Sequence, residues 1–576
     1  MKRRMVRREV RSSPEQAFPG LHPVLARVYA ARNVGGLGEV DYSFARLCPV
    51  TRLSGIAPAV ELLVDALARQ QHILVIGDFD ADGATSCAVA LRALRQMGAR
   101  HVDFLIPNRF QCGYGLTPEV AEAAASRGAD LVVTVDNGIS SVEGVARAKR
   151  LGLRVLITDH HLPGRELPDA HAIVNPNLPG DGFPSKHLAG VGVIFYLLIA
   201  LRAQLREIGW FVERGIAEPN LGQLLDVVAL GTVADVVPLD HNNRILVAQG
   251  LERIRRGNGQ PGVRALLQVA GRAAQQVTTA DLAFGVAPRL NAAGRLKDMT
   301  LGVECLLADQ EWRALEMARE LDELNRERRR IESGMQAEAL AKLERLEIGD
   351  GADLPVGLCL FDEDWHQGVI GILAARIKDR FHRPVIAFAE QGPDELKGSA
   401  RSVPGLHIRD VIDAVAARQP GLVSKFGGHA MAAGLSLRRR HLEPFATAFD
   451  AEVRQRLPEK GLEQVVYTDG PVSAEDLGLE LAELLQRAGP WGAGFPEPVF
   501  DGKFRIVTHR IVGERHLRLG LEVPGSTRRI EAIAFDAEVG WRAVPQYVNL
   551  AYRLAVNNYQ GVKSAQLIVE HVEPWH

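Results

Sequence analysis

From Ile73 onward the chain repeats one pattern of polarity, an uninterrupted apolar run that ends in acid. Ile73-Leu74-Val75-Ile76-Gly77 runs into Asp78-Phe79-Asp80-Ala81-Asp82-Gly83, and Leu131-Val132-Val133-Thr134-Val135 into Asp136-Asn137-Gly138. Arg154-Val155-Leu156-Ile157-Thr158 runs into Asp159-His160-His161, and Val227-Val228-Ala229-Leu230-Gly231 leads through Thr232-Val233-Ala234 to Asp235. Runs of this length without alternation predict strands buried on both faces, as in a parallel sheet. Helix-like stretches alternate with them from about residue 70 to 305, which predicts a mostly parallel, doubly wound α/β domain. Open sheets of that kind bind ligands at the carboxyl ends of their strands, and all four acidic endings fall there.

The pattern changes three times after that domain. From Trp312 to Leu346 the chain is charged, free of proline and holds a single glycine, which predicts a long connecting helix within 306–350. Glu327, Arg328, Arg329, Arg330 and Glu332 are expected to face solvent. A second, smaller α/β pattern follows over 351–458, from Val356-Gly357-Leu358-Cys359-Leu360-Phe361 to the glycine-rich Gly427-Gly428-His429-Ala430-Met431-Ala432-Ala433-Gly434 and a charged helix. Residues 459–576 hold short alternating runs such as Phe504-Arg505-Ile506-Val507-Thr508 and Ala565-Gln566-Leu567-Ile568-Val569, with turns expected at Asn557-Asn558 and Gln560-Gly561. They predict a C-terminal OB-like β-barrel, with a small β-sandwich as the alternative. Residues 1–69 read as an N-terminal extension packed on the first domain.

Composition narrows the class. A chain of 576 residues, 47% hydrophobic and 24% charged, suits a soluble protein of three or four domains. No run approaches the ~18 apolar residues of a membrane span, and no apolar core follows the basic Met1-Lys2-Arg3-Arg4, so a cytoplasmic protein without membrane association is expected. Cys48, Cys87, Cys112, Cys305 and Cys359 have no paired spacing, which argues against disulfides and a zinc cluster. The net charge of −2, from 68 Lys+Arg against 70 Asp+Glu, excludes a globally basic protein. Any nucleic-acid contact must therefore come from local basic grooves.

The acids carry the chemistry. Carboxylates about 5 Å apart repel by roughly 3 kcal/mol per pair at an effective dielectric near 20. Divalent cations offset that repulsion, while a plain helix-capping loop is the alternative for the first cluster alone. Carboxylates with one or two imidazoles and no thiolate suit Mn²⁺ or Mg²⁺ better than structural zinc. Two such ions hydrolyse phosphoesters, so a dinuclear phosphoesterase is the leading reading.

Taken in order, Asp78-Phe79-Asp80-Ala81-Asp82-Gly83, Asp136-Asn137-Gly138, Asp159-His160-His161 and Asp235 resemble the four motifs of the DHH phosphoesterase superfamily. Asn291-Ala292-Ala293-Gly294-Arg295 and the glycine-rich run resemble the rest of its DHH/DHHA1 branch, and the likeness covers nearly the whole chain. It implies that Asp80 and Asp82 ligate one metal each, that Asp136 bridges, and that His160 and Asp235 complete the second site. Asp78 stands where many relatives have a metal-binding histidine. Asp136, Asp159, His160 and His161 are the candidate catalytic residues, with Asp159 and His161 orienting His160, contacting phosphate or protonating the leaving group. Arg109, Asn291, Arg295, Ser399, Arg401 and His429 are the candidate substrate contacts, Ser399 with Arg401 as a grip for a terminal 5′-phosphate.

Within the superfamily the length and the barrel resemble the branch of 5′→3′ exonucleases specific for single-stranded DNA. That implies release of mononucleotides by a two-metal mechanism, work in recombination and mismatch repair, and partnership with a single-stranded-DNA-binding protein and a helicase. A monomer is expected. The alternatives are a phosphodiesterase for short oligonucleotides or cyclic dinucleotides, and a non-enzymatic DNA-binding scaffold.

Overall fold

The computed structural model describes residues 3–10, 13–107, 115–350, 354–457, 464–513, 516–535, 545–559 and 561–575. The chain divides into two compact units, Arg7–Asn325 with Thr468–His576, and Met1–Val6 with Arg326–Tyr467.

In the larger unit β1 (Ile73–Gly77), β2 (Val102–Leu105), β3 (Leu131–Val135), β4 (Arg154–Thr158) and β5 (Ala172–Val174) form one all-parallel sheet. Their order is β2-β1-β3-β4-β5. β1 and β3 are buried at every position, which is why their sequences lack alternation. Gly77 pairs with Val135 and Val135 with Thr158, so the three strands end at one level. Asp78, Asp136 and Asp159 therefore leave the sheet side by side.

The fourth apolar run is not a strand. The helices that build the site are α1 (Ala81–Gln96), α2 (Gly190–Glu207), α3 (Leu225–Ala234), α4 (His241–Arg255) and α5 (Ala287–Leu296), and Val227–Gly231 lies inside α3. Every residue of α3 up to Val233 is buried. A helix surrounded on all sides has no polar face to mark a 3.6-residue period, so a short apolar run reads alike as strand or helix. Asp235 still arrives at the rim, as the residue that ends α3.

The long helix α6 (Glu311–Asp350) corrects a second expectation. Ala314, Ala318, Leu321, Asn325, Arg328, Glu332, Met335 and Ala339 recur at steps of three and four and are all buried. Arg328 and Glu332 thus belong to a covered stripe, while Arg329 and Arg330 are exposed. Their burial is tolerated because Arg328 donates to Glu332 one turn on, and Glu332 also accepts from Arg376 at 2.9 Å.

The smaller unit holds a mixed sheet of β6 (Leu358–Phe361), β7 (Val385–Gly392), β8 (Glu395–Arg401), β9 (Lys425–Gly428) and β10 (Ala432–Arg438), ordered β9-β10-β8-β7-β6. Phe388, Phe445 and Phe449 centre its core. The glycine-rich run forms the β9–β10 hairpin. Arg3–Arg7 pairs with Gln464–Thr468 as a separate ribbon.

Back in the larger unit, β11 (Phe500–Val512), β12 (His516–Glu522), β13 (Arg529–Ala534), β14 (Tyr547–Tyr559) and β15 (Val562–Pro574) close into a barrel in the order β11-β12-β13-β15-β14, with helix α7 (Leu479–Ala488) ahead of it. The barrel is the OB-like one, not a sandwich. Asn557-Asn558 is not a turn, since both residues pair inside β14 with Ser564 and Lys563. The chain reverses after Tyr559, where Gly561 takes φ of +83°. Among the described residues no single helix is long and apolar enough to cross a membrane.

Candidate metal centre

Asp80 ends the turn after β1 and is the N-cap of α1, its Oδ1 accepting from the N–H groups of Asp82 (3.0 Å) and Gly83 (3.1 Å). The capping role and a ligand role coexist, because a carboxylate has two oxygens. Asp78, Asp80 and Asp136 place potential ligand atoms within 4.8 Å of one another. Asp136 takes a left-handed backbone, φ +63°, at the end of β3. Aspartate tolerates that conformation better than most residues.

Asp82 sits on the first turn of α1 and is buried. Its oxygens accept the first N–H groups of α2, from Gly190 at 2.6 Å and Val191 at 3.0 Å. The positive end of a helix favours that charge. Asp82, His160 and Asp235 form a second group within 4.8 Å, and Asp136, His160 and His161 a third. His160 Nε2 lies 3.1 Å from Asp136 Oδ1 and 3.4 Å from Asp235 Oδ2. Asp136 therefore belongs both to the Asp78–Asp80 group and to the histidine group, the position a bridging ligand needs.

The electrostatics fit a pair of cations. Burial pushes the Asp82 carboxyl up to about 7, and the neighbouring Asp80 adds to the shift. Asp136 is raised well above the carboxylate range by burial and then by Asp82, Asp80, Asp235 and Asp78, and Asp235 likewise by burial and then Asp82 and Asp80. These shifts describe the metal-free charges, and divalent ions would reverse them. Hard oxygens with one or two imidazoles are a donor set for Mn²⁺ or Mg²⁺.

Asp159 has a different task from its neighbours. Fully buried, it accepts from the N–H groups of Ile139 (2.9 Å), His160 (2.7 Å) and His161 (3.0 Å), and from the His161 ring at 2.7 Å. Burial alone would raise its pKa, but the bonds and charge of His161 hold it below the usual range. Conversely burial would lower His161, while Asp159, Asp235 and Asp78 carry it up to about 9. The ring that Asp159 steers is that of His161 and not His160.

The remaining candidates are dispersed. Arg109 lies outside the described residues. Asn291 and Arg295 lie on helix α5, although the small residues Ala292-Ala293-Gly294 between them suggest a turn. Asn291 Oδ1 accepts from Ala81 N at 2.8 Å, and an added Cβ at Gly294 would stand 1.9 Å from the Phe79 carbonyl oxygen. This segment therefore buttresses the acidic turn from behind. Ser399 and Arg401 lie in β8 of the smaller unit, with Arg401 Nη1 donating to Ser399 Oγ (3.2 Å) and to the Ala400 carbonyl (2.8 Å). Burial lowers the Arg401 pKa, and no carboxylate pairs with it among the described residues. His429 joins the same sheet, its N–H donating to Ala432 O, and Ala432 is the strand partner of Arg401.

Sequence reading missed the residues that hold the histidines. Asn177 Nδ2 donates to the His160 carbonyl (2.6 Å) and Asn175 Nδ2 to that of His161 (2.9 Å). The signal was present, since Asn175-Pro176-Asn177 follows β5 at the same rim. Gly190 was also missed, because nothing local marks it as the partner of Asp82.

The chain is similar to known proteins over nearly its whole length. Residues 72–232 match the model of the DHH family N-terminal domain, 354–455 that of the DHHA1 domain, and 468–571 that of the RecJ OB domain. The chain is 54% identical to the single-stranded-DNA-specific exonuclease RecJ of Dickeya dadantii, over 98% of each chain. It is 53% identical to the protein of that name from Escherichia coli, over 96% of each. The crystal structure of RecJ from Thermus thermophilus in complex with Mn²⁺ superposes with a TM-score of 0.80 at 29% identity, covering 99% of this chain and 78% of that one. A second structure of the Thermus protein contains Mg²⁺, with a TM-score of 0.75 at 28% identity over 99% and 76% of the two chains.

Proposed function

Because this chain belongs to the RecJ family of DHH phosphoesterases, we propose that it degrades single-stranded DNA as a metal-dependent exonuclease. The observation that carries the mechanism is the double membership of Asp136 in the two donor groups at the sheet rim. Asp78, Asp80 and Asp136 would hold one divalent cation, and Asp82, Asp136, His160 and Asp235 the other. Bound there, Mn²⁺ or Mg²⁺ supplies Lewis acidity toward the phosphate and makes water a competent nucleophile near neutral pH. The N–H groups that open α2 fix Asp82 and oppose the rise that burial imposes on its pKa, and Asn177 fixes the backbone of His160. His161, with Nδ1 committed to Asp159, presents Nε2 to a phosphate oxygen or to the departing 3′-oxygen.

The direction of attack is 5′→3′, set by an anion grip for the terminal phosphate at Ser399 and Arg401. What supports this is a half-buried guanidinium beside a hydroxyl, without a carboxylate partner among the described residues. Arg401→Ala is expected to cost on the order of 2–4 kcal/mol in kcat/KM on 5′-phosphorylated strands, and far less on 5′-hydroxyl strands. Equal losses on both would assign Arg401 to an internal phosphate or to the fold.

The barrel would bind the incoming strand. Arg510 and Arg518 face each other across β11 and β12, a like-charge pair that an anion relieves, although Arg518 also bonds Glu531. A single-stranded-DNA-binding protein and a helicase would present the substrate to a cytoplasmic monomer. Digestion of 3′-labelled single strands with 5′-phosphate, 5′-hydroxyl or blocked ends, in Mn²⁺, Mg²⁺ or EDTA, tests the reading. Metal-dependent shortening of unblocked strands only is the expected result; cleavage that ignores the 5′ end would refute the polarity.

A further inference from the structure

Between β5 and α2 the chain runs through one loop, 175–189, and three arms of the metal centre hang from it. Asn175 and Asn177 hold the carbonyl groups of His161 and His160 at 2.9 and 2.6 Å. At its far end the loop becomes α2, whose Gly190 and Val191 N–H groups fix Asp82. In its middle, Ser185 Oγ donates to Asp240 Oδ2 at 2.7 Å, and the His187 carbonyl accepts from Asn243 Nδ2 at 2.6 Å. That same Asn243 amide donates to the Pro238 carbonyl at 3.0 Å, so the loop also braces the segment that follows Asp235.

One side chain closes this loop on itself. Lys186 Nζ donates to the Pro176 carbonyl at 2.6 Å, and to the carbonyl and Oδ1 of Asp181 at 2.8 Å each. An ammonium has three N–H donors, and these three oxygens use them all. Pro176 stands between the two asparagines that hold the histidines. Asp181 is itself anchored, since its carboxylate also accepts from the N–H groups of Ser54 and Phe183, each at 2.8 Å. The clamp serves one side of the centre. Asp82, His160 and Asp235, the residues on the three arms, form one donor group. The other side is built from different parts, for Asp80 caps α1 and Asn291 holds Ala81.

We propose that Lys186 is a positioning residue for the second cation, the one assigned to Asp82, His160 and Asp235 with Asp136. It acts through the loop. The ammonium fixes Pro176 against Asp181, and the loop so closed holds the His160 backbone, the N-terminus of α2 and the Asp235 segment in one register. The inference rests on the two-cation reading above and goes beyond it by dividing the supporting structure between the two ions. It predicts that loss of Lys186 is felt by one ion and not the other.

Calorimetric titration of Mn²⁺ into the metal-stripped full-length protein, without DNA, tests it. Lys186→Met keeps the side chain's length and removes its donors. One ion is expected to bind about 10–100-fold more weakly, the usual cost of losing a group that orients metal ligands, while the other stays within about twofold. His160→Gln identifies the ion, since Lys186→Met should weaken that ion no further once His160 is gone. Lys149→Met removes an equal charge from a surface pair with Asp169 and should leave both ions within about twofold. Melting curves of the metal-free proteins report folding. Should Lys186→Met not fold, Ser185→Ala decides by the same criterion, because it deletes only the hydroxyl that braces Asp240 and is expected to weaken the same ion about tenfold. Equal weakening of both ions, no weakening of either, or losses that multiply with those of His160→Gln would overturn the proposal. These outcomes are independent of catalysis. A protein that holds both ions yet degrades no single strand would remove only the nuclease reading.

Discussion

Asp136→Ala is expected to abolish strand degradation while leaving the metal-free protein at least as stable as before. The residue is buried among Asp78, Asp80, Asp82 and Asp235, all of which push its pKa up or share its donor groups. Removing one of several crowded carboxylates relieves repulsion in the metal-free fold, so no loss of melting temperature is expected without metal. With metal the balance inverts, because the groups on either side lose their common ligand. The loss should be on the order of 10³–10⁴-fold in kcat, roughly 4–5.5 kcal/mol at the transition state. The rise in Tm that Mn²⁺ produces by binding the folded state should shrink in parallel. Substantial turnover with an intact Mn²⁺-induced Tm shift would refute the bridging role.

Gly190→Ala should be nearly as damaging, though Gly190 has no side chain to do chemistry. A Cβ there would stand 2.5 Å from Asp136 Cβ and 2.8 Å from its Cα and Cγ, well inside the ~3.5–4.0 Å of carbon contact. The same residue donates its N–H to Asp82 at 2.6 Å. Moving α2 away to make room displaces Asp136 and releases Asp82 together. Overpacking of this kind costs about 1–3 kcal/mol of stability, and a site that tolerates little displacement should lose roughly 10²-fold in kcat. Gly192→Ala is the control, since the nearest atom to its Cβ is the flexible end of the Leu188 side chain, at 3.0 Å, with no backbone atom or metal-centre residue among its three nearest atoms. Equal activity of both variants, measured beside their unfolding curves, would show that the α2 contact does not position the acids.

The order of elements is legible in the sequence where the signal is local and illegible where two local states look alike. β1, β3 and β4 are legible because a five-residue run, mostly apolar, without alternation and ending in acid is enough to specify a parallel core strand. The run before Asp235 has the same composition and is helix α3, since burial on all sides erases the periodicity that separates the two. Arg328 and Glu332 looked like solvated charges because the sequence shows their charge and not their mutual pairing within a covered stripe. Asn557-Asn558 looked like a turn because asparagine favours turns, yet the β14–β15 ladder overrode that preference.

The sequence by itself determined the chemistry of the centre. Asp78, Asp80, Asp82, Asp136, His160 and Asp235 are hard donors whatever the fold, and three strand ends in register bring most of them to one rim. Tertiary structure decided how each is held. Asp82 is fixed by N–H groups 108 and 109 positions away, and the turn beneath Asp80 is propped by Asn291 from 210 positions away. It also decided that Asp159 steers His161. Residue identity fixes what an atom can bond, whereas hydrogen bonds across such separations exist only once packing has closed the loops between them.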